Sequence, residues 1–259
     1  IEMQLAGVLK EVAKSGAVFA CVLVAACSGK AVDTEKSSTN TAPASTSAVS
    51  EPAHALVTVP AGTTMPADFG ERMVAVRQLP GALGVTILNA QPGPGPAGFQ
   101  SLAVVDFRDE ASLQQWMKTL ADAGVQARQA DILAHDASDS AAAASATSYY
   151  AVNHYEVLVT PAEYSDYTGK YIVPNMAHQK STGALLAYTM YIERAAPGEH
   201  PKSVLVKQYG SPEEQARGEA AKEIYKKDVL MKQPEWKRIN DTKTAIRNDL
   251  TETFAREAN

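Results

Sequence analysis

"GALGVTIL", residues 81–88, recurs 102 positions later as "GALLAYTM", residues 183–190. The same offset carries Ser101 onto Ser203, Val104 onto Val206 and Phe107 onto Tyr209. "RDEAS", which follows Phe107, falls opposite "GSPEE", which follows Tyr209. Upstream, "PADF" (66–69) matches "PAEY" (161–164) at an offset of 95, while Pro60-Ala61 offers a second partner for Pro161-Ala162. Ordered matches at a nearly constant spacing indicate an internal duplication, and such a repeat decides the architecture before any single element does.

Each copy reads as strand, helix, strand, strand, helix. In the first, Leu56–Val59 is apolar and β-branched, and Phe69, Met73, Val76 and Leu79 follow Pro66 at helical spacing. Leu83–Leu88 and Leu102–Phe107 are strands joined through a Pro/Gly loop. Asp109 caps a helix with Leu113, Trp116, Met117 and Leu120 on one face. Val125–Leu133 supplies a fourth strand. In the second copy the strands are Val152–Val159, Leu186–Glu193 and Ser203–Tyr209. Thr160 to Glu163 is a capping box with Pro161 at the first helical position, and Ser211 to Glu214 opens a helix reaching about Lys232. A last helix past Pro234 is expected to turn Trp236, Ile239, Ile246, Leu250 and Phe254 inward.

This duplicated unit resembles the ferredoxin-like folds of the dimeric α/β-barrel superfamily, over roughly residues 56–259. The resemblance rests on element order and repeat. It implies an α+β fold, with tandem ferredoxin-like repeats packed as a pseudo-dimeric α/β barrel. Members of the superfamily include cofactor-free monooxygenases, haem-binding proteins and proteins without known catalysis, so fold alone assigns no function.

The N-terminal region carries a different signal. Lys10 and Lys14 precede an uncharged run from Gly16 to Ala26, which is short for a bilayer span and has the length of a signal-peptide core. Val24-Ala25-Ala26-Cys27 resembles the lipobox of bacterial lipoproteins. That resemblance implies cleavage before Cys27, lipidation of its thiol and attachment to a membrane. Glu2 and Glu11 are unusual for such a leader, and Met3 offers an alternative start. Residues 28–52 are rich in Ser, Thr, Ala and Pro, too poor in large apolar groups to fold, and read as a disordered tether. Ser28 follows the lipid cysteine where Asp would imply retention in the inner membrane, so the resemblance implies the periplasmic face of the outer membrane. With Cys21 in the leader and Cys27 lipidated, no cysteine remains for a disulfide. The expected organisation is a signal peptide over 1–26, lipidated Cys27 and tether over 27–54, a first repeat over 55–136, a linker over 137–148 and a second repeat with an extra C-terminal helix over 149–259.

Across 259 residues the formal net charge is −5, which gives no reason to expect nucleic acid. Gly93-Pro94-Gly95-Pro96-Ala97-Gly98 satisfies a dinucleotide-binding spacing, but two prolines lack the N–H groups that hold phosphate. It reads as a hairpin loop. Asp131, His135, Asp136 and Asp139 approach the linker and read as a solvated loop; no metal and no cofactor is expected.

Every one of the ten tyrosines lies at or beyond Tyr149. A copy used only for packing has no need of phenolic hydroxyls, whereas one lining a polar pocket does. By the period of two, His154 and Glu156 share one strand face, Thr189, Tyr191 and Glu193 share another, and Lys207 and Tyr209 a third. If these faces converge, His154, Glu156, Tyr191, Glu193, Lys207 and Tyr209 line a ligand pocket, with His178 overhanging it. The alternative is an amphipathic rim of tyrosines with His154 as an ordinary hydrogen-bonded residue. Two functions follow. One is a membrane-anchored envelope lipoprotein binding a small ligand or envelope partner through its second repeat. The other is a cofactor-free monooxygenase- or isomerase-type enzyme, with His154 or His178 as base and tyrosines, Tyr191 among them, orienting an aromatic substrate.

Overall fold

The computed structural model describes residues 51–120, 125–137 and 148–258. The expected leader, Cys27, the expected tether up to residue 50 and residues 138–147 of the expected linker lie outside them. The first half runs β1 (Ala53–Pro60), α1 (Phe69–Ala75), β2 (Ala82–Ala90), β3 (Phe99–Phe107), α2 (Glu110–Met117) and β4 (Gln126–Asp136). The second runs β5 (Tyr149–Val157), α3 (Pro161–Tyr167), α4 (Val173–Ser181), β6 (Leu185–Glu193), β7 (Lys202–Tyr209), α5 (Pro212–Asp228), α6 (Pro234–Thr242) and β8 (Arg247–Glu257).

The eight strands close into one antiparallel barrel in the order β1-β3-β2-β8-β5-β7-β6-β4. Each half contributes four neighbouring strands, and β8 and β4 join the halves through β2 and β6. The two matching sequence segments occupy like places. Gly81 precedes β2 at φ +82° and Gly183 precedes β6 at φ +70°, both in the left-handed region that glycine enters without strain. Ala82 then pairs with Phe107, and Leu185 with Tyr209.

Alternation along the strands divides the core in three. Leu56, Leu88, Leu102, Val152, Val204 and Ala255, from β1, β2, β3, β5, β7 and β8, fill the barrel. The outer faces are covered by helices. Phe69, Met73, Leu113 and Trp116 pack on the first half. Tyr164, Tyr167, Tyr171, Met176, Trp236 and Ile239 pack on the second. The helices start where local chemistry allows. Asp109 accepts from the Ser112 N–H, and Ser211 from the Glu214 N–H. Thr160 and Glu163 form the reciprocal box, with Pro161 in the first turn. Each such cap contributes about 1 kcal/mol. Among the described residues, no helix is long and apolar enough to cross a membrane.

Three readings of the sequence need correction. The expected final helix ends at Thr242, after burying Trp236 and Ile239, and the chain continues as β8. Pairing with β5 along nearly its whole length satisfies the β8 backbone groups and supplies the barrel's eighth strand. Leu250 therefore stays exposed, and Phe254 stacks on Tyr149 at 5.6 Å. The helix from Pro212 stops at Asp228, and a 3-10 turn buries Leu230 beyond it. Asp131, His135 and Asp136 lie on a paired strand, not in a loop, while Asp139 is outside the described residues.

Candidate functional site

The helices of the second half stand off their sheet and leave a cleft of about 400 Å³. Arg247 and Asp249, from the start of β8, and Tyr155, from β5, meet Tyr171 and Asn175 from the helix layer there. Tyr164, Tyr167 and Tyr171 are spaced to share a helix face, and a π-helical turn over Thr168–Ile172 joins α3 to α4. Such turns displace side chains from α-helical register and recur at functional sites. The rings stack in series: Tyr164 on Tyr167 at 5.6 Å, Tyr167 on Tyr171 at 5.1 Å, and Tyr171 on Trp236 at 4.8 Å.

Two cations are buried against this wall. Arg247 is 8% exposed, with its guanidinium carbon 3.7 Å from the Tyr155 ring centroid and Nη2 3.2 Å from Asp249. Burial works against its charge, but Tyr155, Tyr167, Tyr164 and Asp249 outweigh this and hold the guanidinium firmly protonated. Lys207 is 3% exposed and lies 3.1 Å from Glu219 and 3.3 Å from Glu252. Burial raises Glu219, yet Lys207 and Lys222 overcome that and hold its carboxyl below the usual range. Burial pushes the Tyr155 and Tyr167 phenols well above theirs.

The same layer concentrates polar atoms that no protein group satisfies. They include the Tyr167 hydroxyl, Trp236 Nε1 and Asn175 Oδ1. Buried polar groups are normally paired, so this cluster marks a region shaped by something other than packing. Among the described residues, the first half, built on Phe and Trp, contributes none to that set.

The sequence candidates divide between two places. His154, Glu156 and Glu193 line a separate cavity of about 500 Å³ at the barrel mouth, with Arg128 and Lys202. Burial and Lys202 push the His154 imidazole down to about 4, so it is neutral at pH 7. Burial raises the Glu193 carboxyl. Tyr191 lies deeper in the barrel, edge-on to His54 at 6.1 Å, and His54 bonds Asp106 at 2.7 Å. Lys207 and Tyr209 do not converge on these residues. Lys207 pairs across the strands with Ala151, not Val152, which turns its side chain to the helix layer. Tyr209 is fully buried beneath α5, where its hydroxyl donates to Gln179 Oε1 at 3.0 Å. Gly218 allows that approach, since a Cβ there would lie 2.9 Å from Gln179 Oε1.

His178 overhangs neither cavity; it stacks on Tyr225 at 4.0 Å between α4 and α5. Asp131 is held by Arg194, Asp136 by Lys180, and His135 by Thr189. Among the described residues, no group of His, Cys, Asp and Glu is arranged to hold a metal. The cleft also offers no imidazole to a haem iron, so its lining does not suit a histidine-ligated haem. Arg247, Asn175 and Trp236 were missed as candidates. The helical spacing of Tyr164, Tyr167 and Tyr171 was the one available signal for their cleft.

No family model matches the sequence, and no curated protein does. Solved structures do. An anthrone oxidase-like protein aligns with a TM-score of 0.53 at 12% identity, covering 80% of this chain and 91% of its own. A protein named as a monooxygenase from Fusobacterium nucleatum aligns with a TM-score of 0.51 at 12% identity, covering 81% and 94%. At such identity the likeness establishes the fold alone: the chain shares with these proteins an α+β architecture, here with an eight-stranded antiparallel barrel.

Proposed function

We propose that the chain is an enzyme of the cofactor-free monooxygenase kind, acting on a small oxygenated aromatic in the cleft between β5–β8 and the helices α3–α6. The observation that carries this is the pair of buried cations, Arg247 and Lys207, in a cleft that Tyr155 and Tyr171 also line. A hydroxyarene or anthrone-type ketone reacts with dioxygen through its oxyanion, and buried cations favour that anion over the neutral form. Asp249 and Glu252, in the same cleft, are placed to take the proton. Carbon–oxygen bond formation with dioxygen gives a hydroperoxide, and loss of water leaves a carbonyl. One oxygen atom enters the product and the other leaves as water. The names of the two structural neighbours, an anthrone oxidase-like protein and a monooxygenase, support this reaction class over a purely binding role. An isomerase shares the ionisation step and differs in consuming no dioxygen. His154 and His178 do not line this cleft, so the base role passes from them to the carboxylates.

The test is dioxygen uptake with anthrone as probe, read by an oxygen electrode and by absorbance of the quinone. Enzyme-dependent uptake that falls in Arg247→Met supports the proposal. No uptake and no bound anthrone, or equal uptake in that variant, removes it.

The two halves, in this reading, descend from one duplicated ferredoxin-like unit, and the cleft lies in the second. The lipobox at Val24–Cys27 and the tether after it support a further part of the proposal. Cys27 would carry lipid and hold the enzyme at the cell envelope, on the periplasmic face of the outer membrane.

A further inference from the structure

The barrel mouth lies on the other side of the sheet from the cleft, and the cleft reading does not use it. Four adjacent strands place charges of alternating sign around one arc of it. Glu156 comes from β5, Lys202 from β7, Glu193 from β6 and Arg128 from β4. Glu156 and Lys202 are direct cross-strand partners. The opposite arc, Thr58, Pro60 and Gly98, carries no charge. His154, beside the Phe99 ring at 5.8 Å, adds a neutral imidazole.

Most of these charges have protein partners. Glu156 accepts from Asn248 Nδ2 at 2.8 Å, and Arg128 lies 3.5 Å from Glu199. Arg194, at the rim, is engaged by Asp131 and Glu110. Glu193 and Lys202 remain. They influence each other across the cavity without a direct ion pair among the described residues. A lone anion entering here would meet Glu193 and Glu156, and a lone cation would meet Lys202 and Arg128. A molecule carrying both charges on neighbouring atoms satisfies both signs at once. The uncharged arc then receives the rest of it.

We propose that the barrel mouth is a binding site for a small zwitterion, an α-amino acid with an uncharged side chain. Its ammonium group lies on Glu193 and its carboxylate on Lys202, and its side chain faces Thr58, Pro60 and Gly98. The site is independent of the aromatic cleft, because the strands separate the two.

Amino acids with uncharged side chains, each at about 10 mM, would be screened by thermal shift on the full chain, since a ligand bound only to the folded state raises the melting temperature. The expected result is a shift with at least one of them. Its two single-charge analogues, lacking the amino or the carboxylate group, should bind about tenfold more weakly or worse. For phenylalanine these are 3-phenylpropionate and 2-phenylethylamine. Glu193→Gln and Lys202→Met should each weaken the same ligand about tenfold, while Arg247→Met leaves it unchanged. Lys202 is exposed, so its variant tests the site without threatening the fold. No shift with any amino acid overturns the proposal, as does equal binding of a single-charge analogue or parental affinity in both variants.

Discussion

The guanidinium carbon of Arg247 sits 3.7 Å from the centroid of the Tyr155 ring. This contact joins the first residue of the barrel's closing strand to the aromatic wall of the cleft. Its remaining ion partner, Asp249, is largely exposed and can rehydrate if the guanidinium is lost. Arg247→Met should therefore cost only about 1–2 kcal/mol of stability, from the lost cation–π contact. Dioxygen uptake with anthrone should fall about a hundredfold or more, as expected for loss of an oxyanion-stabilising group. Arg247→Lys keeps a charge but loses the planar stack, and should recover only part of the activity. Melting curves and uptake rates on the two variants check both statements.

His154 makes the fold sensitive to mild acid. Its imidazole titrates near 4 in the folded chain, against 6.5 when exposed, because it is buried and near Lys202. The unfolded chain thus binds a proton between those values while the folded chain does not. Stability is complete above about pH 6.5 and declines as pH falls towards about 4, by roughly 3 kcal/mol in all. His154→Gln should flatten this part of the profile, measured by urea unfolding at a series of pH values. An unchanged slope in the variant would assign the acid sensitivity to other groups.

Cys27 tests the envelope part of the proposed function. Cys27→Ser should abolish labelling by a radioactive or clickable fatty acid and move the protein from the membrane to the soluble fraction. Persistence of both label and sedimentation would rule the anchor out.

Strand positions were legible because the signal is local: Leu102–Phe107 and the Val204–Val206 core of Ser203–Tyr209 are short apolar, β-branched runs bounded by turn residues. The face each strand presents was not legible, since it depends on pairing. Had Lys207 sat opposite Val152 instead of Ala151, it would have pointed into the barrel towards His154, because a one-residue slip exchanges the faces. The same limit hid β8. Its inward residues Thr251 and Thr253 are polar, and Ile246, Leu250 and Phe254 fall at helical spacing behind Trp236 and Ile239. Only pairing with β5 and β2 makes the segment a strand. The tyrosine bias pointed to residues beyond Tyr149, but it could not tell the cleft beside Tyr155 and Tyr171 from the barrel interior, where Tyr191 lies.

Gly81 and Gly183 offer a comparison between the halves at a single backbone position. Both adopt positive φ just before a strand, so an alanine at either should cost about 1–2 kcal/mol from the left-handed conformation alone. Their surroundings differ. A Cβ at position 183 meets nothing within 4 Å, whereas one at position 81 would approach Ser112 Oγ to 2.8 Å. Ser112 also donates its backbone N–H to Asp109, the cap of α2. Gly81→Ala must therefore displace part of that cap as well, and losing a cap costs about a further 1 kcal/mol. Gly183→Ala should lower stability by the backbone term only, and Gly81→Ala by roughly twice as much. Combining Gly81→Ala with Ser112→Gly removes the clash while keeping the strained φ, and should return the loss towards that of Gly183→Ala. Denaturant unfolding of the three variants measures each term. Equal losses for the two single variants would show that the α2 cap yields without cost, and no loss in either would show that neither turn needs its left-handed glycine.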